Sequence, residues 1–165
     1  MKMRYAKPED YEEYERLYND LECETLYRGR EEINPQEQEE AIKYFAMDEE
    51  TWKFIENEDR RTLEKFLADL QKDYVRIYMC VDNKQTVGFV QLFKLCGRKW
   101  KLAYLCLAPE YQTAEALAEI VEYLHDKSNM SQIDVCAFGK GEELFPKIGF
   151  QKILAGYYRK QKVKG

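Results

Sequence analysis

WKLAYLCLAPEYQTAEALAEIVEYLHDK, residues 100–127, reads as a strand, a tight turn and a helix. The first part, Trp100 to Leu107, is almost wholly apolar, with Lys101 its single charge. Such a run, closed by a turn signal, fits a strand covered on both faces. Ala108 and Pro109 end it, because proline has no amide hydrogen for a ladder. Helical spacing follows. Ala116, Leu117, Ile120, Val121 and Leu124 form one stripe, and Glu115, Glu119, Glu122 and Asp126 the opposite face. A strand that enters a helix through a short turn leaves backbone amides free at the helix start, where a phosphate can bind.

The 165 residues are expected to form one domain, 1–165, long enough to bury about 70% of the unfolded surface. The net charge of −5 argues against a nucleic-acid partner. No apolar run reaches the roughly 18 residues of a membrane helix, and the N-terminal MKMRYAKPED lacks a signal-peptide core. Together these point to the cytoplasm and away from a membrane. Cys23, Cys80, Cys96, Cys106 and Cys136 include no CxxC pair, and most lie in or beside apolar runs, so buried reduced thiols are expected. With a single histidine, His125, no metal site of the usual kind is expected. A surface position near a helix C-terminus is the reading for His125 itself.

Before this stretch, Met1–Ala6 alternates as a short strand. Lys7-Pro8-Glu9-Asp10 opens a helix that turns Tyr11, Tyr14, Leu17, Tyr18 and Leu21 inward. Residues 22–34 are looser, with a loop at Arg28-Gly29-Arg30. Residues 35–72 form a variable, acidic helical section: one helix from Pro35, a piece around Trp52, and a helix from Arg60 to Lys72 that buries Leu63, Phe66, Leu67 and Leu70. Tyr74–Val81 and Thr86–Leu95 form an antiparallel hairpin about Asp82-Asn83-Lys84-Gln85, with Gly88 at a bulge or close contact. After the helix come a strand at Gln132–Phe138, a short helix at Glu142–Lys147 disturbed or ended by Pro146, and a strand pair near Gln151–Leu154 and Tyr157–Val163. The order defines an α/β chain with a mixed sheet.

The order resembles that of the GNAT superfamily of acyl-CoA N-acyltransferases. RYAKPEDYEEYERLY is similar to the family's first strand and helix, VDNKQTVGFVQLF to its central hairpin, APEYQ to the turn into its cofactor helix, and ELFPKIGF to the segment before its last strands. The resemblance implies a mixed, mostly antiparallel sheet with flanking helices and a splayed central parallel pair, here Trp100–Leu107 and Gln132–Phe138. It implies acetyl-CoA, or another acyl-CoA, as co-substrate. The thioester would lie along the backbone of Leu105, Cys106 and Leu107. The pyrophosphate would lie on the turn formed by Gln112, Thr113, Ala114, Glu115, Ala116 and Leu117.

Within that turn Gln112 matches the family's first position, but Glu115 stands where its first glycine belongs and Leu117 where its small residue belongs. Glycine lets the backbone approach a phosphate closely, and a carboxylate there is a like charge. Phe145 stands where a proton-donating tyrosine usually does, and phenylalanine has no proton to give. Asp134 and Tyr104 are the candidates for proton transfer, each with an ordinary structural reading beside it. Tyr157 and Tyr158 are further hydroxyls without an assigned place. The resulting expectation is acetyl transfer to a primary amine on a small molecule or peptide, by a monomer or homodimer. The alternative is a non-catalytic binding or regulatory module of the same fold that has lost normal CoA binding.

Overall fold

The computed structural model describes residues 1–19, 62–137 and 140–163. Seven strands form one sheet: β1 (Lys2–Tyr5), β2 (Val75–Asp82), β3 (Gln85–Cys96), β4 (Lys99–Leu107), β5 (Gln132–Cys136), β6 (Gln151–Leu154) and β7 (Tyr157–Gln161). Their order is β1-β2-β3-β4-β5-β7-β6. All neighbours pair antiparallel except β4 and β5, which run parallel. Four helices, α1 (Tyr11–Asn19), α2 (Leu63–Leu70), α3 (Ala114–Asp126) and α4 (Lys140–Lys147), connect the strands among the described residues. The expected helix from Pro35 and the piece around Trp52 lie outside those residues, as do Leu21, Cys23 and Phe138.

Strand alternation divides the apolar side chains between the two faces of the sheet. On one face Tyr78, Val90, Leu92, Leu105, Leu107, Ile133 and Val135 pack with the α3 stripe and with Leu144 and Phe145 of α4. On the other, Ile77, Met79, Phe89 and Cys106 pack with Tyr14, Leu17 and Tyr18 of α1 and Phe66 of α2. β4 keeps both faces supplied by changing parity. Gln91 of β3 opposes Tyr104, while the next residue, Leu92, opposes Leu102, so Ala103 is an extra residue in β4. Trp100 and Leu102 before this bulge share a face with Leu105 and Leu107 after it. A bulge inserts one residue and so reverses the alternation.

The turn after β4 is built by local hydrogen bonds. A 3-10 turn at Pro109–Tyr111 is tied to the end of β2 where the Tyr111 hydroxyl donates to Asp82 Oδ2 at 2.5 Å. Thr113 then caps α3, its hydroxyl accepting from the Ala116 amide at 3.2 Å. Such a cap contributes about 1 kcal/mol. Gly88 lies beneath the end of β4: a Cβ there would fall 2.4 Å from Leu107 Cδ2 and 2.6 Å from the Cys106 carbonyl oxygen, so only glycine fits without displacing β4.

Three sequence expectations need correction. Leu63 and Leu67 of α2 are exposed, and only Phe66 of the expected inward set is fully buried. Of its eight residues only Phe66 and Asp69 are buried. Cys80 and Cys106 are buried, and burial pushes the Cys80 thiol up to about 12, but Cys96 is exposed at the β3–β4 turn. His125 is a core residue, 4% exposed, and not a surface histidine. It follows Leu117 and Val121 at steps of four and so continues their stripe into the interior. Its Nδ1 donates to the Met130 carbonyl at 2.7 Å, since that oxygen can only accept. Its Nε2 is buried without a partner among the described residues.

This burial has a consequence for acid stability. Desolvation is the main cause holding the imidazole below its ordinary 6.5, the Met130 bond opposing it. The unfolded chain therefore takes up the proton first. Stability should be complete above pH 6.5 and fall as the pH drops below it, with a slope limited to about 1.4 kcal/mol per pH unit for one proton. His125 is the chain's one histidine, so urea unfolding between pH 7 and pH 5 isolates it. His125→Gln should flatten the decline; an equal slope in both proteins would show that the imidazole is not its source.

Candidate functional site

β4 and β5 pair over only part of their lengths. Lys99, Trp100, Lys101 and Leu102 align with Gln132, Ile133, Asp134 and Val135, and the ladder stops there. Both strands nevertheless remain paired on their outer sides. β4 follows β3 to Leu107, and Ala108 N donates to the Val87 carbonyl at 2.8 Å. β5 follows β7 through Cys136, and Ala137 N donates to the Gly156 carbonyl at 2.8 Å. Each strand is thus held by a different neighbour while the two part from one another. The result is a wedge that opens beyond the bulge at Ala103.

Alternation fixes what β4 presents to this wedge. Ala108 turns its amide toward β3, so Leu107 and Leu105 turn their backbone groups the other way. The Leu107 carbonyl is met by the Gln112 side chain, whose Nε2 donates at 2.9 Å. The Leu105 amide and carbonyl are left facing the gap. The side chains of Leu105, Cys106 and Leu107 are fully buried, so these three residues offer the wedge main chain alone.

The turn at the wedge mouth is partly self-satisfied. Gln112 N donates to the Pro109 carbonyl at 3.2 Å, Ala116 N to the Thr113 hydroxyl, and Leu117 N to the Thr113 carbonyl at 3.1 Å. The Leu117 side chain is 0% exposed in the core. Leu117 therefore presents neither amide nor side chain to a ligand. At Thr113, Ala114 and Glu115, the amides precede the first acceptors of the helix and point beyond its N-terminus. Glu115 is exposed in this first turn, on the positive end of the helix dipole. Lys140 reaches across from the start of α4, its Nζ 3.2 Å from Gln112 Oε1. Gln112 thereby connects the end of β4 to the helix that follows β5.

The two proton-transfer candidates lie at different depths. Asp134, in the paired half of β5, is 0% exposed. Arg159 of β7 donates to it through Nε at 3.0 Å and through its second nitrogen at 3.2 Å. Gln132 Nε2 donates at 3.2 Å and the Tyr157 hydroxyl also donates to it. Burial opposes the charge, but the bonds from Arg159 and Tyr157 outweigh it and hold the carboxyl below its usual value. So saturated a carboxylate is an anchor between β5 and β7 and a poor proton acceptor. Sequence reasoning could not place Tyr157; its hydroxyl is part of this anchor, kept protonated by burial and by the adjoining carboxylate. Tyr104 is the first residue after the bulge, half-buried, its ring edge-on to Tyr18 at 5.4 Å on the α1 face. Phe145 is fully buried, edge-on to Phe150 at 4.9 Å, and belongs to the core.

No family model and no curated protein matches the sequence. Solved structures do match over nearly the whole chain. A PaiA N-acetyltransferase from Thermoplasma acidophilum, in complex with coenzyme A, is 18% identical with a TM-score of 0.59, covering 98% of each chain. An aminoglycoside N-acetyltransferase is 14% identical with a TM-score of 0.63, covering 98% of this chain and 96% of its own. A variant spermidine N-acetyltransferase from Vibrio cholerae is 15% identical with a TM-score of 0.57, covering 96% and 92%. The protein has the GNAT acyl-CoA N-acyltransferase fold. No helix among the described residues is long and apolar enough to cross a membrane.

The anchor at Asp134 is open to test. Asp134→Asn leaves the Arg159 guanidinium without its counter-charge, though Arg159 is partly solvated and can rehydrate. A loss of about 2 kcal/mol in urea unfolding is expected. Unchanged stability would remove the structural assignment and return Asp134 to the catalytic candidates.

Proposed function

We propose that the protein is an acyl-CoA-dependent N-acyltransferase that transfers an acetyl group to a primary amine. The observation that carries this reading is the wedge. β4 and β5 diverge while each stays paired on its outer side, and the Leu105 backbone, unpaired among the described residues, faces the gap. An extended pantetheine chain has amide groups that suit such a strand edge. The turn at Thr113, Ala114 and Glu115 lies at the wide end, where the diphosphate would rest against helix amides. The three solved structures of like fold described above are N-acetyltransferases, one of them in complex with coenzyme A.

In the reaction the amine nitrogen forms a bond to the thioester carbonyl carbon, the carbon–sulfur bond breaks, and the sulfur leaves with the electron pair. The amine nitrogen releases one proton to solvent water, and the departing thiolate takes one up. The chain's contribution is positional: β4 holds the thioester along its edge and the wedge aligns it for attack. Orientation of this kind can supply most of an acceleration when the amine arrives unprotonated. Tyr104 is the hydroxyl carried by the opening strand and is the candidate for the proton that reaches sulfur. The acceptor is an amine whose positive charge suits the acidic section 35–72.

Calorimetric titration with acetyl-CoA, followed by thiol release in the presence of spermidine, an aminoglycoside and a lysine peptide, tests the proposal. Micromolar binding and thiol release with at least one amine are expected. No heat and no thermal shift at millimolar acetyl-CoA would remove it.

A non-catalytic reading has one specific support: Glu115 places a negative charge at the turn and leaves it without the glycine that allows close approach. If that charge is the obstacle, Glu115→Gly should tighten coenzyme A binding about tenfold by calorimetry. An unchanged affinity would mean that the carboxylate turns away from the ligand.

A further inference from the structure

We infer that Lys140 is the cation that holds the coenzyme A diphosphate, taking the place of the glycine-lined amide cradle that this turn lacks. The inference rests on the proposed binding of coenzyme A in the wedge. Its starting point is a shortage. The amides of Gln112, Ala116 and Leu117 are engaged within the turn, and Glu115 adds a negative charge beside those that remain. The amides left at Thr113, Ala114 and Glu115 favour a diphosphate but carry no full positive charge to offset it and Glu115 together.

Lys140 supplies it from across the wedge. Its ammonium lies 3.2 Å from the Gln112 side-chain oxygen, one residue before the cap of α3. Its side chain is exposed and makes no ion pair among the described residues. Its hydrogen bond there is to a neutral amide. A lysine paired with a carboxylate would have to exchange one anion for another to bind phosphate. Lys140 has only to leave a carbonyl oxygen, which keeps the charge near the turn and available.

The arrangement also spans the opening. Gln112 is anchored on the β4 side through the Leu107 carbonyl, and Lys140 begins the helix on the β5 side. A diphosphate between the remaining amides and Lys140 would be clasped from both edges of the wedge. The charge arriving from α4 offsets Glu115, so the departure from the glycine pattern does not by itself exclude the cofactor.

Calorimetry on the intact protein decides the matter, with coenzyme A and with dephospho-coenzyme A, which keeps the diphosphate and lacks the 3′-phosphate. Lys140→Gln should weaken both ligands about tenfold, and Lys140→Arg should restore most of the loss. Circular dichroism of the variants checks that they fold. Equal affinities in wild type and Lys140→Gln would overturn the assignment and leave the cofactor reading intact. A loss with coenzyme A that vanishes with dephospho-coenzyme A would also overturn it, by moving Lys140 to the 3′-phosphate. If the wild type binds neither ligand, the reading beneath the assignment fails, and the assignment with it.

Discussion

The architecture depends on β4 and β5 being paired outward and released inward. Strand edges carry hydrogen-bonding groups that are costly to leave unmet, so two adjacent parallel strands would ordinarily close upon one another. Here the closure stops after Leu102 and Val135, where the bulge at Ala103 interrupts β4, and beyond it each strand keeps only its outer neighbour. β3 holds β4 to its end, with Gly88 pressed under Leu107 and Cys106 so closely that no side chain could intervene. β7 holds β5 through Cys136, and Gly156 extends the attachment to Ala137. The groups released into the gap are then partly met from within: Gln112 satisfies Leu107, while Leu105 has no backbone partner among the described residues.

Polar side chains mark both ends of this opening. At the closed end, Asp134 with Arg159, Tyr157 and Gln132 ties β5 to β7 below the point of divergence. A buried ion pair of this kind contributes little net stability compared with apolar packing but is directional, and it fixes the register of the strand that forms one wall. At the open end, Gln112 and Lys140 span from the β4 turn to the α4 start. The lower contact is buried and saturated; the upper one joins a buried glutamine to an exposed lysine and is exchangeable. The first suits a fixed scaffold and the second a surface that must admit a ligand.

Much of this was legible in the sequence, and the illegible parts share a cause. The run from Trp100 to Leu107, the stop at Pro109 and the stripe from Ala116 to Leu124 are local patterns, and the strand, turn and helix followed them. Gly88 was legible as a bulge or a close contact, the ordinary reasons for glycine inside a strand, and its approach to Leu107 and Cys106 is the close contact. The bulge at Ala103 left no trace in composition, yet it decides that Leu105 shares a face with Leu102 and Trp100. Asp134 was ambiguous because its partners lie 23 and 25 residues away on a strand whose pairing only the fold reveals. Lys140 precedes the helix expected at Glu142–Lys147, and its contact with Gln112 lies 28 residues distant. His125 is different: its place on the stripe was available, and the polar residues beside it at the helix end obscured it.

The same distinction accounts for the contrast between a sequence that matches no family model and a fold that matches solved structures at 14% and 18% identity. A wedge whose inner surface is main chain asks little of particular side chains. Leu105, Cys106 and Leu107 are buried and could be exchanged for other apolar residues without altering what the strand edge presents. What the wedge does require is a set of backbone directions: a bulge, a tight approach at Gly88 and outer neighbours for both strands. Many sequences can encode those directions. Side-chain chemistry becomes limiting only at the turn, where charge and close approach matter together. There Glu115 stands at the α3 side of the mouth and Lys140 at the α4 side.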